Sequence, residues 1–491
     1  MTDIWQYHNF TNTEEAAASV ALNAGTDLEC GQSYLKLNES LADGQVDLSR
    51  IDSALTRLYN ALFTVGFFDG SPYGSLGWSD VATPDAQGLA YQAAWEGMTL
   101  LKNDDDFLPL GSTARKVAVI GPLANATTQL QGDYSGIAEY IISPLAAFEN
   151  FSSWTVEYAM GTDINSNSTA GFNASLATAA SADMVIYVGG LDNSLEAETL
   201  DRKTLAWPGN QADLIEQLSA IGKPVVVLQM GGGQVDDTPL LNNSGVKAII
   251  WGGYPSQSAG TALLDILTGK QAPAGRLPVT QYPASYADEV SIFDINLQPH
   301  GSYPGRTYRW YTGTAVRPFG FGMHYTSFDF KWSQKLKHTY HIGQLVDQCG
   351  SAGYVNTKTP FASVSIDVTN SGSHTSDYAG LLFLSSNNAG PKPRPIKTLV
   401  SYTRLHALAA DEKQRMELPL TLGSLARADE NGDITIWPGD YELALDNDAS
   451  LTFSFTLKGS PVAIETLPSP AASYNYTVPV HIQPPSTKVH T

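Results

Sequence analysis

Cysteine is nearly absent, with Cys30 and Cys349 the two examples in 491 residues. That excludes a disulfide-built scaffold and a zinc centre made of cysteines. Positive charge is scarce too: 28 Lys+Arg stand against 49 Asp+Glu, for a net charge of −21. A surface this acidic repels phosphate backbones, so neither nucleic acid nor an anionic membrane is expected as a partner. A neutral ligand such as a sugar is not disfavoured. No apolar run reaches the roughly 18 residues of a membrane helix. The nine histidines lack ligand spacing, so no metal site is expected. No G-x-S-x-G is present to organise a serine triad. The glycine runs Gly231–Gly233 and Gly252–Gly253 fit neither phosphate-binding pattern and read as tight turns, so no cofactor is expected.

The amino terminus, Met1-Thr-Asp-Ile-Trp, has neither the basic start nor the apolar core of a signal peptide. Yet eight Asn-x-Ser/Thr triplets stand at Asn9, Asn38, Asn125, Asn150, Asn167, Asn173, Asn242 and Asn475. Chance yields roughly one per couple of hundred residues, so the excess reads as an extracellular glycoprotein. The two signals conflict. Either the triplets are unused, or the chain given lacks its true beginning.

What is present is a folding composition, 43% apolar and 16% charged. Its length allows about three domains at ~150 residues each. Residues 1–70 read as a helix–strand–helix piece. A capping box at Thr11–Glu14 leads an Ala-rich helix stopped at Gly25, then comes a short strand at Thr26–Glu29. Asp47 caps a helix with Ile51, Leu55, Leu58 and Leu62 on one face. Such a piece cannot easily close a core alone. Residues 71–85 are rich in Gly, Pro and Ser and read as a linker.

A helix is expected around Ala86–Leu101. Continuous apolar runs then recur at Val117–Gly121, Met184–Gly189, Val225–Met230 and Ala248–Trp251, separated by helical stretches at Ala170–Ala180, Gln211–Ile221 and Ser258–Leu267. That alternation predicts an open parallel sheet covered on both faces, over 86–325, with its ligands at the carboxyl ends of the strands. Residues 326–359 read as a second linker. Period-two runs over 360–458 suggest a fibronectin III-like β-sandwich, and 459–491 a loose tail.

The most informative loop follows Met184–Gly189 directly and carries Glu196, Glu198, Asp201 and Arg202. If it is extended, Glu196 and Glu198 point the same way. A carboxyl group beside a low-dielectric pocket has a raised pKa and serves as a general acid. The alternative is a solvated acidic loop. The aromatic and basic stretch Tyr303–Tyr311 reads either as a sugar-stacking surface or as an inter-domain packing segment.

Leu191–Arg202, Ala206-Trp-Pro-Gly-Asn-Gln211, Gln229-Met-Gly-Gly-Gly-Gln-Val-Asp236 and Trp251-Gly-Gly-Tyr-Pro255 resemble family 3 glycoside hydrolases, most closely the secreted fungal β-xylosidase branch. Gly25–Gly31, Ala274–Pro278, Pro304–Tyr308, Phe319–Gly322 and Trp437–Tyr441 continue the likeness in the family's order. The resemblance implies a multidomain α/β plus β protein: a remnant of a (β/α)8-type barrel at 1–70, an α/β open-sheet sandwich, then the fibronectin III-like domain. It implies release of xylose from the non-reducing ends of β-1,4-xylo-oligosaccharides by a retaining mechanism with two carboxyl groups about 5–5.5 Å apart.

By that likeness Glu198 or Glu196 is the acid/base, with Glu198 favoured, and Asp201, Arg202, Trp207 and Tyr254 bind substrate. The family's nucleophile lies in a Ser-Asp-Cys-like motif that does not occur in the chain. It is expected to lie before Met1 together with most of the barrel, which would leave these residues inactive by themselves. Cys30 would bond to that motif's cysteine. Phe321 stands where the family usually has His. The alternatives are a non-catalytic sugar- or partner-binding short form, or a β-glucosidase or α-arabinofuranosidase of the same family. Oligomeric state is left open.

Overall fold

Alanine-rich and leucine-rich helices open the chain. The computed structural model describes residues 5–6, 8–70, 72–334, 337–351, 354–355 and 357–467. These fall into two compact units, one reaching Val81 and the other spanning Ala82–Leu467. Of the tail expected at 459–491, Val462–Glu465 is instead a strand paired with Ile434–Ile436 that buries Ile464 in the sandwich core, and the residues beyond 467, with Asn475, lie outside the described residues.

In the first unit, α1 (Glu14–Ala24) starts at Thr13, whose hydroxyl accepts from the Ala16 N–H at 3.2 Å, and ends at Gly25 with φ +104°. The cap is therefore Thr13. Thr11, expected to lead a capping box, donates its hydroxyl to the Thr13 carbonyl at 3.0 Å. With α2 (Leu37–Ala42) and α3 (Leu48–Thr64), it encloses a small core of Leu22, Val46 and Ala54. Leu48, Leu55, Tyr59 and Phe63 of α3 are exposed. The strand expected at Thr26–Glu29 does not form. Its carboxylates are otherwise engaged: Asp27 takes Arg57 bidentately at 2.6 and 2.7 Å, and Glu29 accepts from the Ser33 and Tyr34 amides.

The second unit begins with α4 (Pro84–Gly97), capped by Thr83, so the expected linker at 71–85 ends in a helix start. A six-stranded sheet follows: β1 (Thr99–Asn103), β2 (Arg115–Ile120), β3 (Trp154–Ala159), β4 (Met184–Gly190), β5 (Val225–Met230) and β6 (Val246–Gly253). Their order is β1-β6-β5-β4-β2-β3, with only β1 antiparallel to its neighbour. Each predicted apolar run is one of these strands. β4 and β5 are buried along their whole length, as strands covered on both faces must be.

One face packs α4, α5 (Pro144–Glu149) and α9 (Ala259–Thr268) on Val119, Ile186, Leu228 and Ile250. The other packs α6 (Phe172–Ala180) and α7 (Gln211–Ala220) on Ile120, Tyr187 and Val227. α8 (Thr238–Leu241) lies between β5 and β6 in sequence. Strand order reverses between β2 and β4, so the loops leaving those two strands flank the switch point where ligands of open sheets sit.

The sandwich sets Pro360–Asn370 between Lys413–Thr421 and Phe328–Trp332 in one sheet. In the other, Ser376–Ser385 lies between Thr398–Leu408 and Gly439–Leu445, with Leu451–Lys458 beyond. Val364, Ile366, Leu382, Met416 and Leu443 fill the space between. The expectation of a linker at 326–359 is corrected. Phe328–Trp332 is a paired strand, and the helix Ile342–Cys349 buries Ile342, Leu345 and Cys349 in the sandwich core.

Arg276 joins the two domains of this unit. It donates to the Gly322 carbonyl on its own side, and to the Ala379 carbonyl and Asp446 carboxylate of the sandwich at 3.1 and 3.0 Å. Asp446 also accepts the Tyr378 hydroxyl at 2.6 Å. Removing one partner of a largely buried ion pair leaves the other charge uncompensated. Arg276→Met is therefore expected to cost about 3 kcal/mol and to split urea unfolding, so that sandwich and α/β domain melt as separate transitions by tryptophan fluorescence and far-UV dichroism.

Candidate functional site

Gly190 ends β4 with φ +122°, and a Cβ there would meet the Met230 carbonyl oxygen at 2.2 Å. Only glycine fits. The Gln211 amide brackets this residue, accepting its N–H at 2.9 Å and donating to its carbonyl at 3.0 Å. The loop that follows therefore leaves a fixed strand end.

Asp192 opens the loop by accepting both the Ser194 amide and hydroxyl, at 2.9 and 2.5 Å. Asn193 reaches the loop after β2 through the Gln131 carbonyl at 3.3 Å. Ala197 and Leu200 then exchange both backbone hydrogen bonds, at 3.2 and 3.0 Å, and Thr199 takes the left-handed conformation with φ +68°. Glu198 and Thr199 are the tip of this tight turn. The loop is not extended, so the expectation that Glu196 and Glu198 point the same way fails.

The two carboxyl groups have different surroundings. Glu196 is largely buried. One of its oxygens takes Arg202 Nε at 2.7 Å and the other the Gly233 N–H at 2.6 Å. Arg202 extends the tie to the loop after β5, donating to the Gln234 carbonyl at 2.9 Å. A Cβ on Gly233 would stand 2.3 Å from the Glu196 carboxylate, so a side chain there would have to displace it. Glu198 is exposed. Its backbone N–H donates to Asp133 of the loop after β2 at 2.9 Å, while no described residue hydrogen-bonds its carboxyl group.

Asp201 is exposed beside Arg202. Tyr254 is half-buried over Gly132 and Gly232; its hydroxyl is buried with no hydrogen-bond partner among the described residues, and burial raises its pKa. Trp207 is 6% exposed and gives its indole N–H to Asp237 at 2.9 Å, so it presents no open ring face.

Sequence reasoning singles out neither Asp133 nor Asp237, and takes Gly233 and Gln234 only as parts of a tight turn and of the 229–236 motif. Asp133 carries one available signal: it follows a strand that flanks the switch point. Asp237 is fully buried between Trp207 and Gln281, the latter donating at 2.5 Å. Neighbouring Gln234 and Asp236 accept the Tyr282 and Ala284 amides, both at 2.8 Å. The 229–236 motif is thus a staple between the β5 loop and residues 281–284.

Comparison with known proteins bears on this arrangement. Residues 98–325 match the glycosyl hydrolase family 3 C-terminal domain, and residues 381–449 the fibronectin type III-like domain. The α/β domain is thus similar to the carboxyl-terminal domain of glycoside hydrolase family 3. The chain is 51% identical over 474 residues to a protein named "Probable exo-1,4-beta-xylosidase" from Aspergillus fumigatus, covering 95% of this chain and 61% of that relative. A protein of the same description from Neosartorya fischeri is 50% identical over the same shares. The solved structure of a family 3 exo-β-xylosidase in complex with a xylobiose aziridine probe matches with TM-score 0.90 and 45% identity, over 96% of this chain and 61% of that one. A β-glucosidase from Erythrobacter marinus matches with TM-score 0.77 and 25% identity, over 93% and 62%. The chain spans about 61% of the length of the curated relatives just named.

Burial pushes the Asp237 carboxyl up to about 7 from its ordinary 3.8. The folded state then holds the proton more tightly than the unfolded chain does. The stability contributed is full below 3.8, falls as pH rises towards about 7, and is flat above. Asp237→Asn, neutral at every pH, is expected to remove a loss of order 4 kcal/mol across that window. Denaturant midpoints of the two proteins from pH 4 to 8 give the difference; parallel profiles contradict it.

Proposed function

We propose that the chain serves in a retaining β-xylosidase that releases xylose from the non-reducing ends of β-1,4-xylo-oligosaccharides, with Glu198 as acid/base. The observation that carries the assignment is the contrast within the loop. Both oxygens of Glu196 are occupied by Arg202 and Gly233, whereas the Glu198 carboxyl stands free at the turn tip. A proton donor must approach the leaving oxygen to hydrogen-bond distance, and a carboxylate held in an ion pair is not available to do so.

In the first step a carboxylate nucleophile bonds to the anomeric carbon while the glycosidic C–O bond breaks and Glu198 gives its proton to the departing oxygen. In the second, Glu198 takes a proton from water as the water oxygen attacks the same carbon and the carboxylate leaves. Glu196 and Arg202 are positioning residues in this reading, and Trp207 acts by packing. Asp201 and Tyr254 face the sugar, Tyr254 with a hydroxyl that lacks a partner among the described residues.

No Ser-Asp-Cys stands in the chain, so in this reading the nucleophile is supplied from outside these residues. Residues 1–70 are read as the closing piece of a (β/α)8-type barrel, which accounts for the open apolar side chains of α3. Extracellular glycosylation is part of the same reading: Asn9, Asn38, Asn125, Asn150, Asn167, Asn173 and Asn242 all lie at least partly open to solvent.

A chimera with the amino-terminal portion of the A. fumigatus relative ahead of this chain is expected to hydrolyse aryl β-xylosides in preference to aryl β-glucosides and α-arabinofuranosides, while this chain alone does not. In the chimera, Glu198→Ala should lower kcat by about 10²–10⁴ on poor leaving groups. Azide should restore turnover of dinitrophenyl xyloside as the β-xylosyl azide. Rescue of Glu196→Ala in place of Glu198→Ala would reverse the assignment, and clear turnover by this chain alone would refute the source of the nucleophile.

A further inference from the structure

The stretch Tyr303–Tyr311 divides in two. Its tyrosines pack: Tyr308 stacks on Phe319 at 4.2 Å and accepts the Leu399 N–H of the sandwich at 3.1 Å, and Tyr311 meets Tyr282 edge-on at 4.8 Å. Arg309 is left over. Its Nε is buried without an acceptor, and no described residue hydrogen-bonds its guanidinium. Buried donors are almost always satisfied, so this one calls for a partner.

Arg309 lines a partly open cavity between the α/β domain and the sandwich, together with Arg394 and Arg427. The described lining contains three guanidinium groups and no carboxylate. The cavity continues outward past His300, again beside Arg309 and Arg427. Among the described basic side chains of this mouth, His300 is the one beside a carboxylate, Asp294 at 3.0 Å.

The other two arginines are held in place by neutral groups. Arg394 donates to the Ala389 and Asn387 carbonyls at 3.0 and 2.9 Å. Arg427 donates to the Pro393 carbonyl at 2.9 Å and lies 4.6 Å over the Trp437 ring. Carbonyls and a ring fix a guanidinium without neutralising it. Burial and the neighbouring Arg394 both push Arg427 below its usual range, the signature of like charges gathered out of water.

We propose that this cavity binds the carboxylate of an acidic sugar, a uronic acid unit, with Arg309 as its main charged contact. Two features select that class. Guanidinium forks match a planar carboxylate bidentately, and the Ser385 and Thr398 hydroxyls on the same wall offer partners for ring hydroxyls. The site stands apart from the proposed hydrolase chemistry and does not require it.

Calorimetric titration of the full chain with glucuronate, glucose and inorganic phosphate is the test. Glucuronate is expected to saturate and glucose not to. Arg309→Gln should weaken glucuronate at least about tenfold with melting unchanged, because the Arg309 guanidinium supports no hydrogen bond to a described residue; Arg394→Gln should weaken it as well. Failure of glucuronate to saturate, equal binding by Arg309→Gln, or phosphate binding tighter than glucuronate overturns the proposal.

Discussion

The ion pair of Glu196 with Arg202 organises the site. Both partners stand on the loop after β4, and the Gly233 amide and Gln234 carbonyl tie the pair to the loop after the adjacent β5. Both partners are largely out of water, so neither is easily dispensed with. Loss of the guanidinium leaves a carboxylate against the backbone of Gly233 with one amide for company, and an unpaired charge in that position costs several kcal/mol. With residue 196 pinned at one end and Asp133 holding the Glu198 amide at the other, residues 197–200 have room only for a tight turn. The turn is what puts one carboxyl group at a tip and keeps the other in a joint.

The fold was legible where burial is two-sided. Met184–Gly190 and Val225–Met230 are apolar at nearly every position because helices cover both faces, and so short a run of that kind rarely arises in any other setting. The edges were not legible. β1 begins soon after α4 ends, so its apolar residues merge with the helical pattern. β3 is buried only at Trp154 and carries polar residues among partly covered ones, as an edge strand does. The segment 326–359 reads as a linker because its strands are short and their partners lie far along the chain, as when Phe330 pairs with Val368.

The site was legible in its chemistry and not in its roles. Carboxylates after a buried strand mark the ligand edge of a sheet, and that much follows from local pattern. Which carboxylate is free depends on partners 37 and 65 residues away in sequence, Gly233 for Glu196 and Asp133 for the Glu198 amide. Extended geometry would have made the two glutamates equivalent; a single left-handed residue, Thr199, makes them different. Trp207 shows the converse. Its residue type suggests a sugar platform, yet the buried Asp237 claims its only polar side-chain atom and the surrounding core claims its ring.

Net charge excludes partners only at long range. An acidic total of −21 disfavours polyanions whose many charges sense the whole surface. At physiological salt the screening length is about 8 Å, so a small anion inside a cavity responds to the groups that line it and hardly to the rest. Arg309, Arg394 and Arg427 stand together in a chain with few cations, two of them braced by carbonyls that a neutral or acidic side chain could not use in the same way. Guanidinium groups gathered without counter-charges repel one another, and folding must overcome that repulsion along with their partial desolvation. A purely structural role would be served by one arginine bonded to the loop carbonyls. The second and third make physical sense if a negative group enters between them.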